Sequence, residues 1–356
     1  MMNAHKIISI LPINLEPGMI IAKSLYIKNL KLLSEGTKLT ENTIDKIKYL
    51  FPTNPINIYK NIDNYELEII HSKGSKEYLE VESDFSRFSD SAEVIFNQVM
   101  SNSKIQVNSI RNLSEDIHCQ MKNTGIVIKN IISERTTDGY LFRHSVNVAT
   151  LNGMLGKWLN FSSREIMLLT YTGILHDIGK SKMPSNIINK AGPLTTKEFN
   201  IMKTHPIKGY DIVKSIPYID PGIEIGVLMH HERIDGSGYP LGLTGDKVNI
   251  YAKITSISDI FDAITSNRPY KQKQNPLKAL EIIKEDSFLK LDPEFSTTFV
   301  ENMIHYYEGE LVKLNTGKIA KILKINNNYI SKPIIYFDES FLDLSKQNNV
   351  FITDLL

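Results

Sequence analysis

One cysteine, one tryptophan and no surplus of either charge mark this 356-residue chain. The lone Cys119 excludes an internal disulfide and any zinc site built from several thiolates, and it fits a reducing cytosol. With 41 Lys and Arg against 40 Asp and Glu, the net charge is only +1. No global field therefore draws the chain to a nucleic-acid polymer or an anionic membrane, and any anion site has to be local. No apolar run is long enough to cross a bilayer. The opening stretch, Met1 to Ile13, is short, is broken by Pro12 and lacks a signal-peptide cleavage pattern. A cytoplasmic protein without membrane insertion is expected.

Length and composition, 42% hydrophobic and 23% charged, suit two or three globular domains. Residues 1–85 read as a small mixed α/β module. Met19 to Tyr26 and Lys31 to Leu33 predict strands joined near Lys28-Asn29, Thr40 is placed to cap a helix through Leu50, and Ile56 to Tyr59 predicts a further strand. This module has no Gly-rich phosphate loop and no catalytic set, so a structural, regulatory or partner-binding role is expected. Residues 86–136 form a helical connector, in which Val94, Ile95, Val99, Ile110 and Leu113 have the spacing of a face that packs onto a neighbour or a second subunit.

Residues 137–308 are a run of amphipathic helices without a competing strand signal. Ser162 to Glu165 is a capping box that opens a helix carrying Ile166, Leu169 and Leu175 to the pair His176-Asp177, with Gly179 as its stop. Thr195 to Glu198 is a second box, whose helix ends near His205-Pro206. Ile250, Ile254, Ile257, Phe261 and Ile264 repeat at helical spacing on a segment that also carries Asp259. Residues 309–356 form a β-rich extension: a hairpin turns at Asn315-Thr316-Gly317, and Pro333 to Phe337 predicts a third strand. The expected fold class is mainly α, an all-α domain with a mixed α/β N-terminal module and a short β-rich C-terminal extension.

The chemistry lies in the helical region. Five of the nine histidines, His144, His176, His205, His230 and His231, fall between residues 144 and 271. Each alone would read as a packing or surface residue, and so would Asp259. Together they look like a metal site assembled by tertiary packing, with a histidine and carboxylate set suited to iron, manganese, zinc or nickel. Neighbouring helical residues diverge by about 100°, so His230 and His231 are expected to reach separate ions or separate sides of a cluster. An aspartate directly after a ligating histidine can bridge two metals. Two such cations can hold a hydroxide, lower its pKa and neutralise a phosphoryl transition state. Lys180, a turn beyond His176, can reach a phosphate oxygen or the attacking water. His5, His71, His118 and His305 lack such company.

The segment His230-His-Glu-Arg-Ile-Asp-Gly-Ser-Gly238-Tyr239-Pro240 resembles the signature of the HD-GYP family of metal phosphohydrolases. The likeness continues through Asp259-Ile-Phe-Asp262-Ala263 and Thr265-Ser-Asn-Arg268-Pro-Tyr-Lys271, covering about residues 137–308. The resemblance implies hydrolysis of cyclic di-GMP to linear pGpG, and on to GMP in some members. It implies His144, His176, Asp177, His205, His230, His231 and Asp259 as metal ligands, with Asp177 bridging, and the histidine and carboxylate set best suits iron or manganese. Lys180 and Asp177 would be catalytic, and Lys180, Tyr239, Arg268 and Lys271 would contact the dinucleotide. Some family members bind a third metal through a glutamate four residues before the first histidine. Tyr140 stands there in this chain, the neighbouring Asp138 has the wrong offset, and two metals are expected.

The expected mechanism is in-line attack by a metal-bridging hydroxide. Two other readings stay open: a receptor that binds cyclic di-GMP or docks a diguanylate cyclase without turnover, and a phosphodiesterase for another cyclic dinucleotide such as 3′,3′-cGAMP. A second copy of the chain is a further candidate partner.

Overall fold

The computed structural model describes residues 7–27, 30–33, 35–59, 75–132, 139–190, 192–267, 273–338 and 340–356. The chain divides into two compact units, Met1–Leu79 and Glu80–Leu356.

In the first unit, strands β1 (Ile7–Ile10) and β2 (Ile20–Ile21) are followed by β3 (Leu25–Ile27), β4 (Leu30–Leu33), helix α1 (Glu41–Leu50) and β5 (Ile56–Tyr59). The antiparallel sheet runs β1-β5-β2, and β3 and β4 form a separate pair. Thr40 caps α1 by a reciprocal exchange with Thr43, which satisfies a backbone N–H that the first turn would leave open. The apolar face of α1, Ile44 and Ile47, shares a core with Ile21, Ile56 and Ile58. The single strand expected over Met19 to Tyr26 is two strands, because the chain bends at Ala22 and Lys23. Beside that bend the Ser24 hydroxyl accepts the Glu35 N–H, a local bond that competes with the sheet ladder. The joint at Lys28-Asn29 lies outside the described residues.

The second unit is helical: α2 (Lys76–Met100), α3 (Val107–Gln120), α4 (Thr124–Ile132), α5 (Tyr140–Trp158), α6 (Ser163–Leu175), α7 (Ser185–Ile188), α8 (Thr196–Met202), α9 (His205–Lys214), α10 (Pro221–Met229), α11 (Ile250–Thr265), α12 (Pro276–Asp286) and α13 (Pro293–His305). The first turn of α2 falls in the first unit and the rest in the second. The helices over residues 80–132 share one apolar core with those that follow and with the C-terminal strands, through Phe85, Ile110, Ile174, Phe261 and Ile335.

Helices α5 and α6 are the central pair. At Gly173 a Cβ would lie 2.4 Å from the Ala149 Cα, so only glycine permits this approach. Buried Asn152 of α5 donates to Leu169 O of α6 at 3.1 Å and to Thr255 Oγ1 of α11 at 2.8 Å, which joins the three helices. The box at Ser162 and Glu165 opens α6, and that at Thr195 and Glu198 opens α8. Gly179 does not stop α6. The helix ends at Leu175, His176 is its cap, and the chain tightens into a 3-10 turn, Ile178–Lys182. Gly179 instead lies against the start of α9, where a Cβ would come 2.0 Å from His205 O. Lys182 at the end of that turn donates to Val99 O of α2 at 2.8 Å and to Asn102 Oδ1, just past its end, at 2.7 Å.

The tail is a five-stranded antiparallel sheet of β6 (Leu311–Leu314), β7 (Ile319–Asn326), β8 (Tyr329–Phe337), β9 (Ser340–Asp343) and β10 (Ile352–Leu355), in the order β10-β6-β7-β8-β9. Gly317, at φ +82°, makes the expected turn. The third strand begins at Tyr329 rather than Pro333, because the β7–β8 pairing is irregular around Lys324 and accommodates a residue without an N–H. Among the described residues no helix is long and apolar enough to cross a membrane.

Phe299 is fully buried, edge-on to Phe261 at 5.4 Å and to Trp158 at 6.2 Å. Phe299→Ala is expected to lower the unfolding free energy of the second unit by about 3–5 kcal/mol, read from urea denaturation. A loss below about 1 kcal/mol would mean that this cluster does not anchor the helices.

Candidate metal centre

Five elements deliver the histidines and aspartates to one buried place. His144 lies one turn into α5. His176 and Asp177 follow α6, His205 opens α9, His230 caps α10 with His231 just beyond, and Asp259 sits within α11. All except His231 are buried. Their donor atoms form two groups: Asp177, His205, His230 and His231 in one, and His144, His176 and Asp259 in the other, each within 4.8 Å. Asp177 faces both. Its Oδ1 is 3.2 Å from His205 Nε2, while Oδ2 is 3.3 Å from His176 Nε2 and 3.5 Å from His144 Nε2.

Helix ends aim three of these rings. The last carbonyls of a helix lack intrahelical donors. His176 Nδ1 bonds Gly173 O at 2.8 Å, His205 Nδ1 bonds Met202 O at 2.8 Å and His230 Nδ1 bonds Val227 O at 2.7 Å. A carbonyl only accepts, so each Nδ1 donates a proton and each Nε2 faces inward. The inward atoms then crowd: His205 Nε2 and His230 Nε2 are 3.3 Å apart, and His176 Nε2 and His144 Nε2 are 3.2 Å apart. Asp177 Oδ1 is buried with no hydrogen-bond partner among the described residues. Unpaired buried acceptors are costly, and cations among them remove the cost.

The charge states agree with this. Burial, then the neighbouring histidines, hold His230 and His231 well below the usual imidazole range, in the neutral form that ligates. Burial opposes ionisation of Asp177, but Lys180 and His176 hold it well below the usual carboxylate range. Asp259 is held low in the same way, against burial, by His144. His144 differs: against burial, Asp177, Asp259 and Asp262 push it up to about 10. Its Nε2 proton, shared with Asp259 Oδ1 at 3.2 Å, is the one a cation would displace. Imidazole and carboxylate donors without thiolate fit a borderline or hard divalent ion.

His230 and His231 were expected to reach separate ions or separate sides of a cluster, and both belong to the first group. The 100° rule holds only inside a helix; α10 ends at Met229, and the turn beyond brings the two ring centroids to 4.1 Å.

Lys180 reaches back from the 3-10 turn to pair with Asp177 Oδ2. Tyr239 lies with its ring 4.6 Å from that of His231. Burial, then Asp259 and Asp177, push its phenol above the usual range, so it keeps its proton. The loop is held by buried Glu232, which accepts the N–H groups of Leu241 at 2.6 Å and Leu243 at 3.0 Å. Gly238 is required there, because a Cβ would come 2.4 Å from Arg233 N. Tyr140 stacks on the His144 ring at 5.7 Å. Arg268, Lys271 and Asp138 lie outside the described residues.

Two residues at the site escaped the sequence reading. Fully buried Asp262 accepts His144 Nδ1 at 2.6 Å, and its signal was the three-residue step from Asp259 along one helix. Lys203 lies with Nζ 5.4 Å from the Tyr239 ring centroid, and no sequence pattern marked it.

Residues 127–295 match the family model described as an HD domain. The chain is 32% identical over 221 residues to the cyclic di-GMP phosphodiesterase PA4108 of Pseudomonas aeruginosa, covering 62% of this chain and 53% of that one. It is 29% identical over 198 residues to the 3′3′-cGAMP-specific phosphodiesterase 1 of Vibrio cholerae, covering 55% and 45%. The chain thus spans about half the length of these relatives. The solved structure of Bd1817, an HDG"Y"P protein from Bdellovibrio bacteriovorus, has the same fold at a TM-score of 0.52 and 18% identity, covering 84% of this chain and 99% of that one.

Chelator treatment is expected to lower the melting temperature of the second unit, and Mn²⁺ or Fe²⁺ to restore it. At a free ion concentration 100-fold above Kd the stabilisation is about 2.7 kcal/mol. On protein stripped of metal, a melt that added Mn²⁺ or Fe²⁺ leaves unchanged would rule out a metal-holding cage. Gly179→Ala should lower bound metal, because its Cβ displaces the backbone of His205.

Proposed function

We propose that this chain, whose residues 127–295 match the HD domain model, is a cytoplasmic, metal-dependent phosphodiesterase that opens cyclic di-GMP to linear pGpG or on to GMP. The observation that carries this reading is Asp177, one carboxylate with an oxygen toward each of two donor groups. His205, His230 and His231 would hold one divalent ion and His144, His176 and Asp259 the other, with iron or manganese best suited to the donors. When bound, the ions supply an activated water and neutralise charge on the phosphoryl group.

The chain's own residues do the rest. Asp177 holds the two donor groups in register. Lys180, whose side chain is 20% exposed, is tethered to Asp177 and offers its ammonium to a non-bridging phosphate oxygen as charge builds there. Tyr239 closes one side of the cage against His231 and presents a protonated phenol and a ring on which a base can pack. Arg268 and Lys271 complete the proposed dinucleotide contacts. The departing 3′-oxygen takes its proton from water or a nearby acid.

A second substrate has an observation behind it: two relatives from Vibrio cholerae are named as specific for 3′3′-cGAMP. Ligands around a shared phosphodiester do not choose between the two, since selectivity follows pocket contacts to the bases. A receptor without turnover is disfavoured by the complete donor set.

Protein purified without oxygen and loaded with Fe²⁺ or Mn²⁺ is expected to convert cyclic di-GMP to pGpG or GMP, followed by chromatography, with 3′,3′-cGAMP run beside it. Asp177→Ala should abolish turnover and metal retention together. Lys180→Ala should keep the metal and lose roughly 10²–10³ in kcat. Metal-loaded protein that binds either dinucleotide without product would be a receptor, and the enzyme reading would fall.

A further inference from the structure

The ring of His144 is set differently from the others. Where His176, His205 and His230 rest on helix-end carbonyls, His144 Nδ1 rests on a carboxylate, Asp262 Oδ2, at 2.6 Å. Asp262 is fully buried and has two further donors: Asn147 Nδ2 at 2.7 Å on Oδ1, and Ser266 Oγ at 3.1 Å on the same oxygen. Asn147 stands three residues after His144 on α5, so both side chains meet α11 from one helix face.

Asn147 can help only if its amide points the right way. Turned over, it would set a carbonyl oxygen against the carboxylate. Arg143 fixes the choice, since its Nε donates to Asn147 Oδ1 at 3.2 Å and a guanidinium has no acceptor to offer the other orientation. Arg143 is itself held. Its Cζ lies 4.6 Å from the centroid of fully buried Phe85, and Nη2 bonds Asn130 Oδ1 and lies 3.9 Å from Glu82 Oε2. Asn130 also donates to Glu82. The donors point one way, from the guanidinium through the amide to the carboxylate that aims His144.

We infer that Arg143 and Asn147 are positioning residues for the metal centre, holding Asp262 and through it the His144 ring, and that Glu82 ties this relay to helix α2. The inference rests on the reading that the cage holds a metal. Neither residue touches the donor groups, so each acts on metal affinity through Asp262. Outer partners of a ligating histidine typically govern affinity 10- to 100-fold.

The test is competition of Mn²⁺ between the full chain and a chelating dye, with far-UV circular dichroism and thermal melts of the metal-free proteins run in parallel. Asn147→Leu keeps the volume but removes the donor, and it is expected to weaken Mn²⁺ about 10- to 100-fold while the metal-free melt stays near that of the parent. Arg143→Lys keeps charge and length but loses the planar two-pronged contact, and it should shift affinity in the same direction. A double variant with Asp262→Asn should be no weaker than Asp262→Asn alone, because the effects share one route. Parental affinity in both Asn147→Leu and Arg143→Lys, or fully additive losses in the double variant, would overturn the relay. If Asn147→Leu fails to fold, Arg143→Lys and its own double with Asp262→Asn decide. A parent chain that binds no Mn²⁺ would overturn the metal reading itself, and the relay with it.

Discussion

Ring nitrogens and carboxylate oxygens crowd at the middle of the helical unit: imidazole Nε2 atoms lie about 3 Å apart around a buried carboxylate with one oxygen lacking a hydrogen-bond partner. Water is excluded and like partial charges face each other, an arrangement that a fold does not adopt for its own stability. Much of the surrounding architecture can be understood as what keeps these atoms in place. The close approach of α5 and α6 at Gly173 fixes where His144 stands relative to His176-Asp177. The approach of the 3-10 turn to α9 at Gly179 fixes His205 against them.

The same helix-end physics is used three times. A terminal carbonyl that would otherwise need water or a cap is given an imidazole N–H, which satisfies the helix and orients the ring in one bond. Histidines in these positions follow a helix rather than sit within it, which is why His176, His205 and His230 all fall at element boundaries. His144, inside α5, has no free carbonyl within reach and needs Asp262 of another helix. That makes it the ring most dependent on tertiary packing.

Much of the frame was legible in the sequence. Three capping signals, at Thr40, Ser162 and Thr195, place helix starts because their chemistry is local. The residues gathered at the cage were legible as a set because their types are rare and their gaps long. What escaped depends on contacts between distant segments. Gly179 looked like a helix stop, but its constraint comes from the His205 backbone. Asp262 and Asn147 belong together across 115 positions of chain. The short strands β9 and β10 carry too few residues to show a period and are defined by the neighbours they pair with.

Helix α2 has a mechanical consequence. It touches the metal unit's machinery at two stations, Glu82 toward the Arg143 relay and Val99 through Lys182, separated by about 25 Å along the rod. The first station leads to His144 in one donor group. The second leads to the turn that carries Asp177 and Lys180. A rod pinned at two points converts its motions into distinct loads: sliding along its axis pulls both stations in one direction, whereas tilting about its middle pulls them oppositely. Because the first station leads to one donor group and the second to the carboxylate between the groups, the two loads act differently on the spacing between the two halves of the cage.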